Sequence, residues 1–120
     1  MLQLLKSELH CHNNYSNFNV GDFDAPYDCN ITIKEQLERS CRLGLDVLFV
    51  TNHNTLDGYK QMLEYKKAHP KYQNIQIYPA EEVTIDNGAH VLVYGNTECI
   101  RPGLSLGEVI DEARSQNAIT

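Results

Sequence analysis

Tryptophan is absent from this chain, and its longest apolar run, Val47 to Val50, is four residues. A bilayer-spanning helix needs about 20 consecutive apolar residues, so no membrane segment is predicted. The opening Met1-Leu2-Gln3-Leu4-Leu5-Lys6 has neither the basic start nor the apolar stretch of a signal peptide, which predicts a cytoplasmic protein. Long basic runs are missing too. Lys66-Lys67 is the longest, and 16 acidic against 10 basic side chains leave a formal net charge of -6. That balance excludes a broad electrostatic grip on DNA or anionic lipid. It does not exclude a phosphate ligand, because bound cations reverse the local field of a site. No C-x-x-C spacing links Cys11, Cys29, Cys41 and Cys99, which argues against a zinc knuckle or redox pair. Without a secretory signal, reduced thiols are expected.

What is present is enough for a core. With 120 residues and 42 % hydrophobic side chains, the chain is one domain or part of one. A domain of that size buries roughly two-thirds of its unfolded surface. Leu2 to Leu9 reads as a first strand running into His10-Cys11-His12, followed by a long Asn- and Asp-rich loop over residues 13 to 31. Thr32-Ile33-Lys34-Glu35 fits a capping box, opening a helix with Ile33, Leu37 and Cys41 inward and Gly44 as its terminator. Leu45 to Thr51 reads as a strand covered on both faces. A helix from about Leu56 to before Pro70 turns Tyr59, Met62 and Leu63 inward, with His69 an exposed helix end. Ile75 to Pro79 makes a third strand. The Asp86-Asn87-Gly88 turn leads to a fourth, Ala89 to Gly95. Ser105 and Glu108 cap a last helix with Val109, Ile110 and Ala113 inward, and Ala118 to Thr120 opens one more strand. Strands alternating with helices predict an α/β fold with a mostly parallel sheet. Because the last element is cut short, a fragment is expected.

Ligand-type residues recur at the expected strand ends: His10 and His12 after the first, His53 after the second, Glu82 after the third. Functional groups collect at the carboxyl ends of parallel strands. If the Asp86-Asn87-Gly88 turn joins antiparallel strands, Thr84 lies opposite His90, and Glu82 becomes its diagonal neighbour on the same face. Each residue alone has a bland reading: H-x-H as surface histidines, His53 as a cap, Glu82 as a solvated carboxylate like Glu81, His90 as packing. Their joint pattern points to metal. Alternation puts both H-x-H imidazoles on one face, each able to ligate at about 2.0–2.1 Å. A carboxylate such as Glu82 can bridge two cations roughly 3.5–4 Å apart, and water on such an ion falls from a pKa of 15.7 to about 7. Cys11 should point to the opposite face. No Ser-His-Asp or Cys-His arrangement competes.

The quoted residues resemble the polymerase and histidinol phosphatase (PHP) family. The matching stretches are Glu8-Leu9-His10-Cys11-His12 with Ser16-Asn17, Gly44-Leu45-Asp46 through Thr51-Asn52-His53, Pro79-Ala80-Glu81-Glu82-Val83-Thr84, and Gly88-Ala89-His90. The resemblance implies a distorted (β/α)7 TIM-like barrel with two or three divalent ions (Zn, Mn or Fe) at its rim. It implies that His10 and His12 hold one metal, that Glu82 bridges this metal to a second one also bound by His90, and that His53 binds a third. Asn17 stands where the family usually has an aspartate ligand, so a weaker amide ligand is expected there, with Asp22 or Asp24 as substitutes. Asn52 replaces an aspartate that would orient His53. The family continues past Ala113 to Thr120 into an Ala-His-Pro ligand and a later Asp-x-His pair. Residues 1–120 are therefore expected to be a PHP-like domain truncated before its C-terminal half.

The implied activity is hydrolysis of a small phosphomonoester or nucleotide phosphodiester through a metal-bound hydroxide, with Glu82 as the central catalytic carboxylate. Two other readings stay open: a non-catalytic module with a residual metal site, and an amide-cleaving barrel metallohydrolase, which shares the H-x-H opening. A half-barrel also exposes a strand edge through which a homo-oligomer can form.

Overall fold

The computed structural model describes residues 2–16 and 28–120. Its elements are β1 (Ser7–Cys11), α1 (Ile33–Arg42), β2 (Val47–Val50), α2 (Asp57–Ala68), a 3-10 turn at Pro70–Tyr72, β3 (Gln76–Thr84), β4 (His90–Tyr94) and α3 (Leu106–Ser115). The sheet runs β1-β2-β3-β4. Its first two pairings are parallel and the third is an antiparallel hairpin. The result is a mixed α/β structure around a curled, half-barrel sheet.

Side-chain alternation along β3 separates the two faces of the sheet. Ile77 joins Leu48 and Val50 in a core with Ile33 and Leu37 of α1 and Met62 of α2. Val83 and Val93 pack on Val109 and Ala113 of α3. Odd positions of β3 therefore face helices, and Tyr78, Glu82 and Thr84 face the other way. On that second face, Phe49 stacks on Tyr78 at 5.4 Å and meets Tyr94 edge-on at 5.3 Å. The Tyr94 hydroxyl of β4 donates to Leu9 O of β1 at 2.8 Å. Opposite edges of a four-stranded sheet can touch only if the sheet bends, so this bond records the curl.

Several sequence expectations shift. The first strand starts at Ser7, not Leu2, because ladder contact begins only where Lys6 O accepts from Asp46 N and Val47 N. Leu2, Leu4 and Leu5 precede that contact and are exposed. The third strand extends beyond Pro79 to Thr84 because it changes partner. Gln76 to Pro79 pair with β2, and Ala80 to Thr84 pair with β4. Glu82 thus lies within a strand rather than after one. The Thr32–Glu35 capping box forms as expected, and Gly44 follows the helix at φ +67°. Cys41, expected inward, is exposed, and Ser40 is buried instead. At 3.6 residues per turn each four-residue step drifts about 40°, so two steps carry Cys41 off the stripe. His69 is half-buried, with its Nδ1 2.8 Å from Tyr65 O and its ring stacked on Tyr65 at 4.0 Å. At the other end, Ile119 forms an antiparallel bridge to Tyr94. No helix among the described residues is long and apolar enough to cross a membrane.

Candidate metal centre

Backbone irregularities bring the ligand-type side chains together. The β1–β2 register shifts between Glu8 and Cys11, and the Glu8 carboxylate accepts the His10 N–H at 2.9 Å. A bulge of this kind re-aims side chains at a strand end. Thr51 then closes the ladder, its backbone N–H and its hydroxyl both donating to Cys11 O. Beyond β2, Glu82 N donates to Asn52 O and Asn54 N donates to Glu82 O, an isolated parallel bridge that sets His53 beside Glu82. Asn54 adopts the left-handed conformation at φ +52°, which asparagine tolerates better than most residues. Its side chain clamps Thr84 through two bonds of 2.9 and 3.0 Å. Across the hairpin Thr84 pairs with His90, the register expected from the turn.

All of the expected histidines and Glu82 meet. Glu82 Oε2 lies 3.0 Å from His10 Nε2, 2.9 Å from His12 Nε2 and 3.7 Å from His53 Nε2, and its Oε1 lies 3.3 Å from His90 Nδ1. Three overlapping groups have ligand atoms within 4.8 Å of one another: His10–His12–Glu82, His12–Asp28–His53 and His53–Glu82–His90. Two donors each about 2.0–2.1 Å from a tetrahedral ion stand roughly 3.3–3.4 Å apart, close to these spacings. Burial opposes ionisation of Glu82, but the His10 hydrogen bond and the nearby imidazoles hold its carboxyl below the ordinary range. Burial also lowers the His53 pKa against the pull of Glu82, which keeps that ring neutral. A buried carboxylate and a neutral imidazole are the protonation states that metal binding requires.

Three positions escaped the sequence reading. Asp28 is the first. Its Oδ2 is 2.6 Å from His12 Nδ1, and its Oδ1 is 3.8 Å from His53 Nε2. Burial works against its charge, but hydrogen bonds from Ser16 and His12 hold the carboxyl below its ordinary range. Ser16 is the second, because its Oγ also accepts the His53 N–H at 2.8 Å. The third is Glu81, expected to be solvated but fully buried on the helix side. Its Oε1 accepts from Asn96 Nδ2 at 2.8 Å and Ile100 N at 2.6 Å. Asn17, expected as a weak ligand, lies outside the described residues, as do Asp22 and Asp24.

Asn52, standing where the resemblance expects an orienting aspartate, pairs with Asn13. Its Oδ1 accepts from Asn13 N at 2.8 Å and its Nδ2 donates to Asn13 Oδ1 at 2.7 Å, both residues being buried. This amide pair fixes the segment after His12 to the end of β2. Gly58 packs on it: a Cβ there would collide with Asn52 Nδ2 and lie 2.8 Å from Asn13 Oδ1. Gly58→Ala should therefore destabilise the fold by about 1–3 kcal/mol, although alanine is the better helix former. A urea midpoint equal to or above that of the parent protein would contradict this packing.

No family model and no curated protein matches the chain.

The donor set fits a metal. Asp28 accepts from His12 Nδ1, which leaves His12 Nε2 facing Glu82 Oε2 at 2.9 Å. That nitrogen and that carboxylate oxygen can both ligate one cation. The buried His/Glu groups can hold such an ion.

Proposed function

We propose that this chain is part of a metal-dependent phosphoesterase of the polymerase and histidinol phosphatase kind. The observation that carries the reading is the Glu82 carboxylate, with His10 and His12 against one oxygen and His90 against the other. That arrangement suits a bridging carboxylate between two divalent ions, Zn, Mn or Fe, to which imidazole and carboxylate ligands are equally suited. On this reading the curled sheet belongs to a distorted (β/α)7 barrel with the centre at the carboxyl ends of its strands.

His10 and His12 would hold one ion with Glu82 Oε2, His90 would hold a second through Oε1, and His53, 3.7 Å from Oε2, would serve a third. When bound, such ions supply an acidified water and neutralise phosphoryl oxygens. Glu82, ionised in its pocket, provides the fixed negative charge that keeps the cations in place. His53, neutral, offers a lone pair rather than a competing charge. The His10 side chain is half exposed. A phosphoryl group can therefore reach the cluster from solvent on that side. The acidic chain repels free phosphate elsewhere, so binding would depend on the loaded centre.

Two nucleophiles beside the cluster, Ser16 and Cys11, do not compete. Ser16 and Asp28 both lie against His12 Nδ1, whereas a nucleophilic triad needs serine and carboxylate on opposite ring nitrogens. The Cys11 thiol is pushed up to about 12 by burial, far from thiolate reactivity at neutral pH.

The test is turnover of p-nitrophenyl phosphate by zinc- or manganese-loaded protein. His12→Ala is expected to lower it by about 100-fold or more, since it removes a ligand rather than a supporting partner. Turnover of N-acyl amino acids without phosphoester turnover would move the protein to the amide-cleaving metallohydrolases. A loaded protein that cleaves neither class would be a binding module.

A further inference from the structure

Asp28 comes into the centre from sixteen residues beyond His12, and no motif in the sequence marks it. Its bond to His12 has a direction. At 2.6 Å, Asp28 Oδ2 and His12 Nδ1 are too close to be two donors on one tetrahedral ion, which stand roughly 3.3–3.4 Å apart. The contact is a hydrogen bond, and the carboxylate can only accept. His12 must therefore carry its proton on Nδ1, and its other nitrogen, Nε2, faces Glu82 Oε2. Ser16 supports the same orientation from both sides, donating to Asp28 and accepting the His53 N–H. The His12 and Asp28 side chains are 18 % and 17 % exposed.

We infer that Asp28 is the positioning residue of the metal centre, fixing His12 as its Nδ1–H tautomer so that Nε2 faces the ion beside Glu82. This rests on the metal-centre reading above and adds to it which carboxylate sets the ligand's geometry. A carboxylate behind a ligating histidine locks ring orientation and raises the basicity of the ligating nitrogen. The carboxylate gives His12 both effects, whereas the amide of asparagine could preserve only the first.

The experiment pairs a tautomer measurement with a zinc titration of the same proteins. Long-range proton–nitrogen correlation spectra of the metal-free protein, above the range where histidines protonate, should show the Nδ1–H pattern for His12. In Asp28→Ala that pattern should be lost, and zinc affinity at the tightest site should fall about 10- to 100-fold. Asp28→Asn, whose carbonyl can still accept, should keep the tautomer and recover part of the affinity, which guards against misfolding of the alanine variant. An Nε2–H pattern in the parent protein, or zinc affinity within twofold of the parent in both variants, overturns the inference alone. Failure of the parent protein to bind zinc overturns the metal centre together with it.

Discussion

Glu82→Gln is expected to lower zinc affinity by more than about 100-fold, beyond the 10- to 100-fold typical of a residue that only supports a ligand. The reason is the division of labour between the two oxygens. Oε2 faces His10 and His12, and Oε1 faces His90. A glutamine retains one acceptor and replaces the other by an NH2 donor. Whichever way the amide turns, one flank of the cluster presents hydrogens to the cation. The negative charge that the surrounding imidazoles hold in place is also gone. Competition against a chromogenic chelator measures the change. Affinity within tenfold of the parent protein would show that Glu82 is not a ligand.

The largest stability effect is expected at the neighbouring Glu81. Burial pushes its carboxyl up to about 7 from 4.5, despite the bonds it accepts from Ile100 and Asn96. Its second oxygen is buried with no hydrogen-bond partner among the described residues, so ionisation is poorly supported there. In this direction the fold favours the protonated acid. Stability from this group is complete below about pH 4.5 and is lost as pH rises through about 7. The loss amounts to about 3 kcal/mol. Glu81→Gln mimics the neutral acid and keeps the accepting oxygen. Metal-stripped Glu81→Gln should match the parent protein near pH 4.5 and exceed it by up to about 3 kcal/mol at pH 8. Urea unfolding at both pH values measures this. Parallel pH profiles for the two proteins would contradict it.

These two adjacent glutamates show where the sequence could and could not be read. Glu82 stood out because histidines surround it in order, and the hairpin rule predicts that it and His90 share a face. Glu81 looked interchangeable with it, since side chains on opposite faces of a strand carry no local label of which face is solvated. Its burial depends on α3 covering the far side of β3 and β4, a tertiary fact. Asp28 was hidden for a related reason. A hydrogen bond between residues sixteen apart follows no helix or strand period, so proximity to His12 cannot be inferred from separation along the chain. The pairing of the Asn52 amide with Asn13 was hidden for the same reason, since the two lie 39 residues apart.

The alternation of helices and strands was legible from caps, glycines and apolar runs. The extent of β3 was not. A strand that exchanges a parallel partner for an antiparallel one at Pro79–Ala80 reads locally as a strand end. The exchange matters to the site, because it carries Glu82 past the end of β2 to where His53 can bridge to it.

The most direct test of the centre is an anomalous difference map from crystals of zinc-soaked protein, recorded at the zinc edge. The expected result is a peak between the Glu82 carboxylate and the rings of His10 and His12, at about 2.0–2.1 Å from the nitrogens. A map with no peak there, or with zinc bound only elsewhere on the chain, would contradict the metal centre and the phosphoesterase reading built on it.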